Sequence, residues 1–332
     1  MDQRHITSVT ECFIMIPAQF KKLLVALEHL TDKQVKDVEK FLKGDNLIQP
    51  IIAELEQRMI DKPECPHCHS GLINRHGKAG AMQRYRCKNC MKTFNAVTKT
   101  PLARLQHKEK WLDYLQCMIN AKVLRKSATD CDINLKTAFR WRHRFLQLPA
   151  TMKATLLEGI VEADETLFAR SEKGSRTLER KPRKRGMKAK KRGRSKEDWV
   201  PVLTVRDRGK HTYETIIPSA STEQLNKELQ GKIIKDSVLC TDGFRSYIKF
   251  AQGNDFIHKR LDVSAGVQVI EKVFHIQNVN AYHSRLKAWM DRFHGVATKY
   301  LENYLGWFRF LDTNENPNKN NLFKAQQHLA GT

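Results

Sequence analysis

The sequence predicts an α/β fold, a mixed sheet flanked by helices, in the C-terminal half of the chain, with smaller segments of different character ahead of it. Two observations lead there. From residue 158 onward, short strand-like runs and helical-period runs alternate as three strands, helix, strand, helix, strand, helix. Before that point the apolar spacing is helical, apart from one cysteine-rich stretch. The 332 residues suffice for two or three domains with cores of their own, and 40% apolar content is that of a globular chain. Net charge is +23, a field that draws nucleic acid or an anionic membrane surface. No apolar run reaches the roughly 18 residues of a membrane span. The segment "MDQRHITSVTECFIMIPAQF" carries an acid at position 2 and no signal-peptide pattern, so a cytoplasmic location is expected.

Residues 1–60 form a helical N-terminal segment. In "PAQFKKLLVALEHL", Phe20, Leu23, Leu24 and Leu27 share one helical face. A second helix is expected to start at Thr31, a good N-cap, and to stop at Gly44.

Residues 61–100 hold "CPHCHSGLINRHGKAGAMQRYRCKNCMKTF". Cys65 and Cys68 form one CxxC pair; Cys87 and Cys90 form another, eighteen residues on. Four thiolates suit a tetrahedral zinc ion, and each CxxC turn delivers two sulfurs. A zinc ribbon with structural zinc follows. His67, His69 and His76 lie nearby, but four cysteines already fill the shell. Without an export signal, the paired spacing argues for metal rather than disulfides. Cys12, Cys117, Cys131 and Cys240 are read as buried or incidental.

Residues 101–150 resemble a helix-turn-helix. "KWLDYLQCMINAK" aligns Trp111, Leu112, Leu115 and Met118 on one stripe. Two short helices then follow, with Ser127 and Asn134 as N-caps and a turn near Asp132. The second carries Lys136, Arg140, Arg142, His143 and Arg144, with Phe139 and Phe145 as anchors, and reads as a recognition helix for a DNA major groove. Lys136, Arg140 and Arg144 are its expected DNA contacts.

Residues 151–312 supply the sheet. Its strands are "EGIVEADETLFA", "WVPVLTVRDR", "HTYETIIPS", "DSVLCTDG" and "DFIHKRL"; "STEQLNKELQGK" and "FRSYIKFA" are helices. A long helical region follows, interrupted near Gly295. This is the order of a ribonuclease-H-like domain. Its aromatic residues Trp289, Phe293, Tyr300, Tyr304, Trp307 and Phe308 recur at helical spacing, which favours core packing over base stacking. Residues 313–332 are a polar tail expected to fray.

Three carboxylates, Glu162, Asp164 and Glu165, lie in the first strand of that domain, and Asp242 ends the fourth. In a ribonuclease-H-like sheet these strands are neighbours, so Asp164 and Asp242 would meet. Hard oxygen ligands of this kind bind Mg²⁺, or Mn²⁺, and paired metals serve phosphoryl transfer. A basic insertion at 170–196 follows, with 14 Lys or Arg against two Glu. Such an arm suits sequence-independent phosphate contacts, and Arg183, Lys184, Arg185, Lys190, Lys191 and Arg192 are its densest part. Acids beside so much positive charge make sense together: the acids hold metal, the bases hold a phosphate backbone.

The pieces "CPHC…RYRCKNC.KTF", "VEADETLFA", "VPVLTVRDR", "CTDGFRSY" and "HIQNVNAYHSRLKAWMDRFHGVATKYLENYLGWFR", in this order, resemble zinc-ribbon-bearing DDE transposases of bacterial insertion sequences. The resemblance implies an enzyme that binds terminal inverted repeats, cuts DNA 3′ ends and joins them to a double-stranded target, as at least a dimer on DNA. Asp164 and Asp242 match its first two catalytic acids. Where the motif has Glu, this chain has Asn280, a neutral and weaker ligand for a hard cation. Lys287 lies two helical turns beyond Asn280 on the same face, where the family places a basic residue against the phosphate. Glu271, Asp291 and Glu302 fit the third position less well. A DNA-binding relative that has lost its chemistry is the alternative that Asn280 keeps open.

Overall fold

The computed structural model describes residues 17–32, 34, 35, 38, 48–80, 82–178, 198–262, 265–314, 317–319 and 322. Helix α1 (Pro17–Glu28) buries nothing among the described residues; Phe20 and Leu24 of its apolar stripe are exposed. Thr31 begins the next helix as expected. Its backbone N–H donates to Gln34 Oε1 at 2.9 Å, and the Gln34 N–H donates back to Thr31 Oγ1 at 3.4 Å, a capping box. The stop expected at Gly44 lies outside the described residues. Helix α2 (Ile48–Asp61) buries Ile52, Leu55 and Met59.

Strands β1 (Ile73–Ala79), β2 (Met82–Cys87) and β3 (Thr93–Phe94) form an antiparallel sheet in that order. Glu56 of α2 ties the helix to it, accepting the Tyr85 hydroxyl at 2.8 Å and the Gln83 N–H at 2.9 Å. Helices α3 (Trp111–Ile119), α4 (Leu124–Asp130), α5 (Leu135–Phe145) and α6 (Gln147–Thr151) follow. Asn134 caps α5, its Oδ1 accepting the Lys136 N–H at 2.8 Å, and Asp132 turns the chain at a positive φ of 47°. Ser127 does not cap α4. That position falls to Val123, and Ser127 is buried mid-helix, its Oγ accepting from Arg142 Nη2 at 3.1 Å. A buried guanidinium needs acceptors more than this helix end needs a cap.

The second sheet comprises β4 (Ile160–Ala169), β5 (Trp199–Asp207), β6 (Thr212–Ile216), β7 (Val238–Asp242) and β8 (Ile257–Leu261), in the order β6-β5-β4-β7-β8. β4, β5 and β6 pair antiparallel, while β7 runs parallel to β4 and β8 parallel to β7, so the sheet is mixed. Period-two alternation assigns the faces. On one, Val161, Ala163, Leu203 and Leu239 pack with Leu225 and Leu229 of α7 (Thr222–Leu229) and Tyr247 and Phe250 of α8 (Arg245–Gly253). On the other, Cys240 packs with Ile276 and with Val279 of α9 (Gln277–Asp291). Helix α10 (Leu301–Thr313) completes the fold after the break at Gly295, whose φ is 91°.

One apolar core runs from the three-stranded sheet through α3 and α5 to α9 and α10. The Trp307 indole donates to the Met118 carbonyl at 3.1 Å, and the Arg142 guanidinium lies 4.9 Å from the Trp307 ring centroid. Gly306 lets α10 meet α6, since a Cβ there would come within 2.5 Å of the Pro149 carbonyl oxygen. A buried ion pair, Arg309 to Glu214 at 2.6 Å, is completed by the Tyr282 hydroxyl at 2.9 Å and the Pro149 carbonyl at 2.7 Å. Trp289, Tyr304, Trp307 and Phe308 are buried, with Phe293 and Tyr300 packed against them, as the helical spacing suggested. In the tail, Leu322 is buried against this core rather than frayed. No described helix is long and apolar enough to cross a membrane.

Candidate active site and cysteine cluster

Ala163 pairs with Thr241 in the parallel β4–β7 ladder, so Asp164 and Asp242 occupy the next position of each strand. Both fall on the face that meets α9, two positions beyond Glu162 and Cys240 respectively. Asp242 opens the turn into α8, its Oδ1 accepting the Phe244 N–H at 3.0 Å. Asp164 Oδ2 lies 3.6 Å from Nδ1 of the buried His283 on α9. Burial, then the Lys287 ammonium, push that imidazole down to about 4, so His283 is neutral at pH 7. Asn280 and Lys287 are exposed on the same helix, at three and four residues either side of His283, and so share its face.

Glu165 points the other way and accepts the Tyr247 hydroxyl at 2.8 Å. Burial, then the charges of Glu165, Asp164 and Asp242, hold the Tyr247 hydroxyl well above its ordinary pKa. The charges of all three carboxylates therefore reach Tyr247, although Glu165 lies on the opposite sheet face from Asp164 and Asp242.

Glu162 has a role that the sequence did not disclose. It is 1% exposed, and its carboxylate accepts the Val279 N–H at 2.9 Å and Asn278 Nδ2 at 3.0 Å, with Arg208 Nη1 at 3.1 Å and His275 Nδ1 at 3.4 Å. A strand acid thus satisfies the first turn of α9 and fixes that helix against the strand bearing Asp164. The available signal was an acid at a core position, in register with Asp164 on the same strand face. Glu162→Ala is expected to lower unfolding free energy by about 2–4 kcal/mol, because buried donors and Arg208 lose their acceptor. Denaturant titration checks this; an unmoved midpoint would remove Glu162 from the role.

The residues of α5 expected from the sequence to contact DNA divide. Lys136 and Arg140 are exposed on α5. Arg144 turns back, donating to the carbonyls of Pro101 at 3.0 Å, Ala103 at 3.1 Å and Thr100 at 3.4 Å. Arg142 is fully buried, and His143 stacks on Tyr300 at 3.8 Å between ring centroids. Arg183, Lys184, Arg185, Lys190, Lys191 and Arg192 lie outside the described residues. The start of their insertion is anchored: Ser171 N–H donates to Thr298 Oγ1 at 2.8 Å, and Lys173 Nζ to the Gly295 carbonyl at 3.0 Å.

Cys65, Cys68, Cys87 and Cys90 place their sulfurs within 4.8 Å of one another and could hold a metal ion such as zinc. The Cys65–Cys90 and Cys68–Cys87 sulfurs are 3.7 Å and 3.6 Å apart. Tetrahedral zinc at a Zn–S distance of about 2.3 Å requires about 3.8 Å, so the donor set fits. The N–H groups of Cys90 and Asn89 point at Cys87 Sγ and favour its thiolate. Of the remaining cysteines, Cys117, Cys131 and Cys240 are buried and Cys12 lies outside the described residues.

Comparison with known sequences gives the class. Residues 156–312 match the family model described as the ISXO2-like transposase domain, and they include the sheet and helices that bear Asp164, Asp242 and Asn280. The chain is also 30% identical over 252 residues, 74% of its length and 83% of the relative's, to a Halobacterium salinarum protein described as an uncharacterized protein in transposable element ISH50. It belongs to the ISXO2-like transposase family.

Proposed function

We propose that this protein is the DNA transposase of an insertion sequence, cutting and joining DNA at a ribonuclease-H-like active site. The observation that carries the reading is the placement of Asp164 and Asp242 at adjoining strand positions, facing the helix of Asn280 and Lys287. Asp164 and Asp242 are the side chains that would hold Mg²⁺ or Mn²⁺, with the Asn280 amide oxygen as a neutral third donor. Such ions, when bound, stabilise the attacking and leaving oxygens of phosphoryl transfer. Lys287 would contact a phosphate at the cut. In the first reaction water attacks phosphorus and the P–O3′ bond breaks, freeing a 3′ hydroxyl. In the second, that hydroxyl attacks a target phosphorus, and the target's own P–O3′ bond breaks as the new P–O3′ bond forms, freeing a target 3′ hydroxyl.

The four cysteines would hold structural zinc in a zinc ribbon. Lys136 and Arg140 on α5 would contact the terminal inverted repeat, with Arg144 bracing the surface beneath them. Arg183, Lys184, Arg185, Lys190, Lys191 and Arg192 would follow the phosphate backbone. Two DNA ends require two active sites, hence at least a dimer on DNA.

Asn280 favours a second reading, a DNA-binding regulator without catalysis. Incubating the protein and Mg²⁺ or Mn²⁺ with a labelled duplex carrying the element's own end separates them. A metal-dependent 3′-end nick followed by joined products is the expected result. Binding without nicking under either metal would leave the regulator, and nicking without joining a nuclease.

A further inference from the structure

We propose that the cleft between the cysteine-bearing sheet and the α5–α6 helices is a phosphate-binding groove for a DNA strand, with Lys99 and Arg104 as its contact residues. The inference rests on the transposase reading and places part of the DNA away from the recognition helix alone. The cleft encloses about 900 Å³, and Lys99, Arg104, Lys108 and Arg144 line it with no carboxylate among the lining residues. Arg104 also lines an adjoining hollow with Arg140 and His107, so the cations form a row rather than a single nest. A row matches successive phosphates of one strand better than it matches a single small anion.

The groove wall is fixed. Arg144 donates to three carbonyls of the 100–103 segment, and this holds Arg104 beside the helix. Burial, then the Arg140 and Arg104 guanidiniums, lower the Arg144 pKa below its ordinary value, so three guanidiniums are close enough to repel one another. An anion between them relieves that repulsion. Lys99 and Arg104 are both exposed, and neither forms an ion pair among the described residues. Glu109 sits at the margin, 3.4 Å from His107, and leaves the row's other cations unneutralised.

The test compares full-length wild type with Lys99→Gln/Arg104→Gln, using anisotropy of a labelled end-containing duplex across a salt series. Glutamine keeps an unbranched stem like that of Lys or Arg, so it adds no new strain at sites that hold a positive φ, 62° and 59°. The expected result is weaker binding, with the log–log salt slope reduced by about two. Lys99→Arg/Arg104→Lys should restore the slope, and metal content and thermal unfolding of all three proteins should agree. Wild-type binding with an unchanged slope in the glutamine variant would overturn the groove alone. A wild type that binds no duplex at any salt would overturn both the groove and the transposase reading.

Discussion

Asp164→Ala and Asp242→Ala are each expected to cut the rate of DNA-end nicking by at least about 10³-fold while leaving end binding within a few-fold of wild type. The magnitude is that of losing about 4 kcal/mol of transition-state stabilisation, a reasonable share for a ligand of a metal that balances charge in phosphoryl transfer. Neither substitution removes a member of an apolar cluster, so each should cost little stability. Asp242→Ala gives up the acceptor of the Phe244 N–H, a loss of about 1 kcal/mol. The melting temperature is therefore expected to move by no more than a few degrees. Asp242→Asn sharpens the distinction, since the amide oxygen can still accept the Phe244 N–H and keep the turn. A variant that nicks at the wild-type rate would move the active site elsewhere. A variant that loses nicking together with several degrees of stability would assign the carboxylate to structure.

Those outcomes contrast with Glu162, two residues upstream on the same strand. Glu162 is buried and bound to the start of α9, so its loss costs stability first. Glu165 faces the opposite helix layer and binds Tyr247. Three acids within four residues therefore have three different surroundings: strand alternation separates Glu165 from the other two, and Glu162 meets the start of α9 where Asp164 faces His283 further along it.

How much of this the sequence disclosed follows from the range of the interactions. The strands and helices of the second sheet were legible because their apolar periods are local. The pairing of Asp164 with Asp242 was legible only through the order of elements, which puts the first and fourth strands side by side. The cysteine cluster was legible because four sulfurs brought together by two tight turns write their geometry into short intervals. Glu162 was not, because its partner Val279 lies 117 positions away and no local pattern marks the contact. Ser127 was misread as a cap, and the inward bonds of Arg144 went unseen, for a related reason. Each looks like a surface or cap residue from its neighbours, yet each is used by a segment beyond its own helix: Arg144 by the carbonyls of 100–103, Ser127 by the buried guanidinium of Arg142.

Removal of metal from the cysteine cluster should damage far more than a small module. Cys87→Ser, or a strong chelator, is expected to release one equivalent of zinc per chain and to lower the stability of the N-terminal half by several kcal/mol. Zinc binding to small cysteine sites supplies about 10–16 kcal/mol of apparent folding free energy, against which a small three-stranded sheet has little core of its own. Here Cys65, Cys87, Tyr85 and Phe94 belong to the same apolar core as Trp111, Trp141 and Trp307, so the loss propagates into α3, α5 and α10. The opposite sheet face, where Val161, Leu203, Tyr247 and Phe250 pack, forms a separate cluster and should hold. Thermal unfolding should then split into two transitions, the lower one shifted by chelator and the upper one not. Serine is the demanding test, because it keeps the side-chain size and replaces only a thiolate by a poorer ligand. A Cys87→Ser protein that keeps one zinc and unfolds in a single unshifted transition would leave the four sulfurs without a metal role.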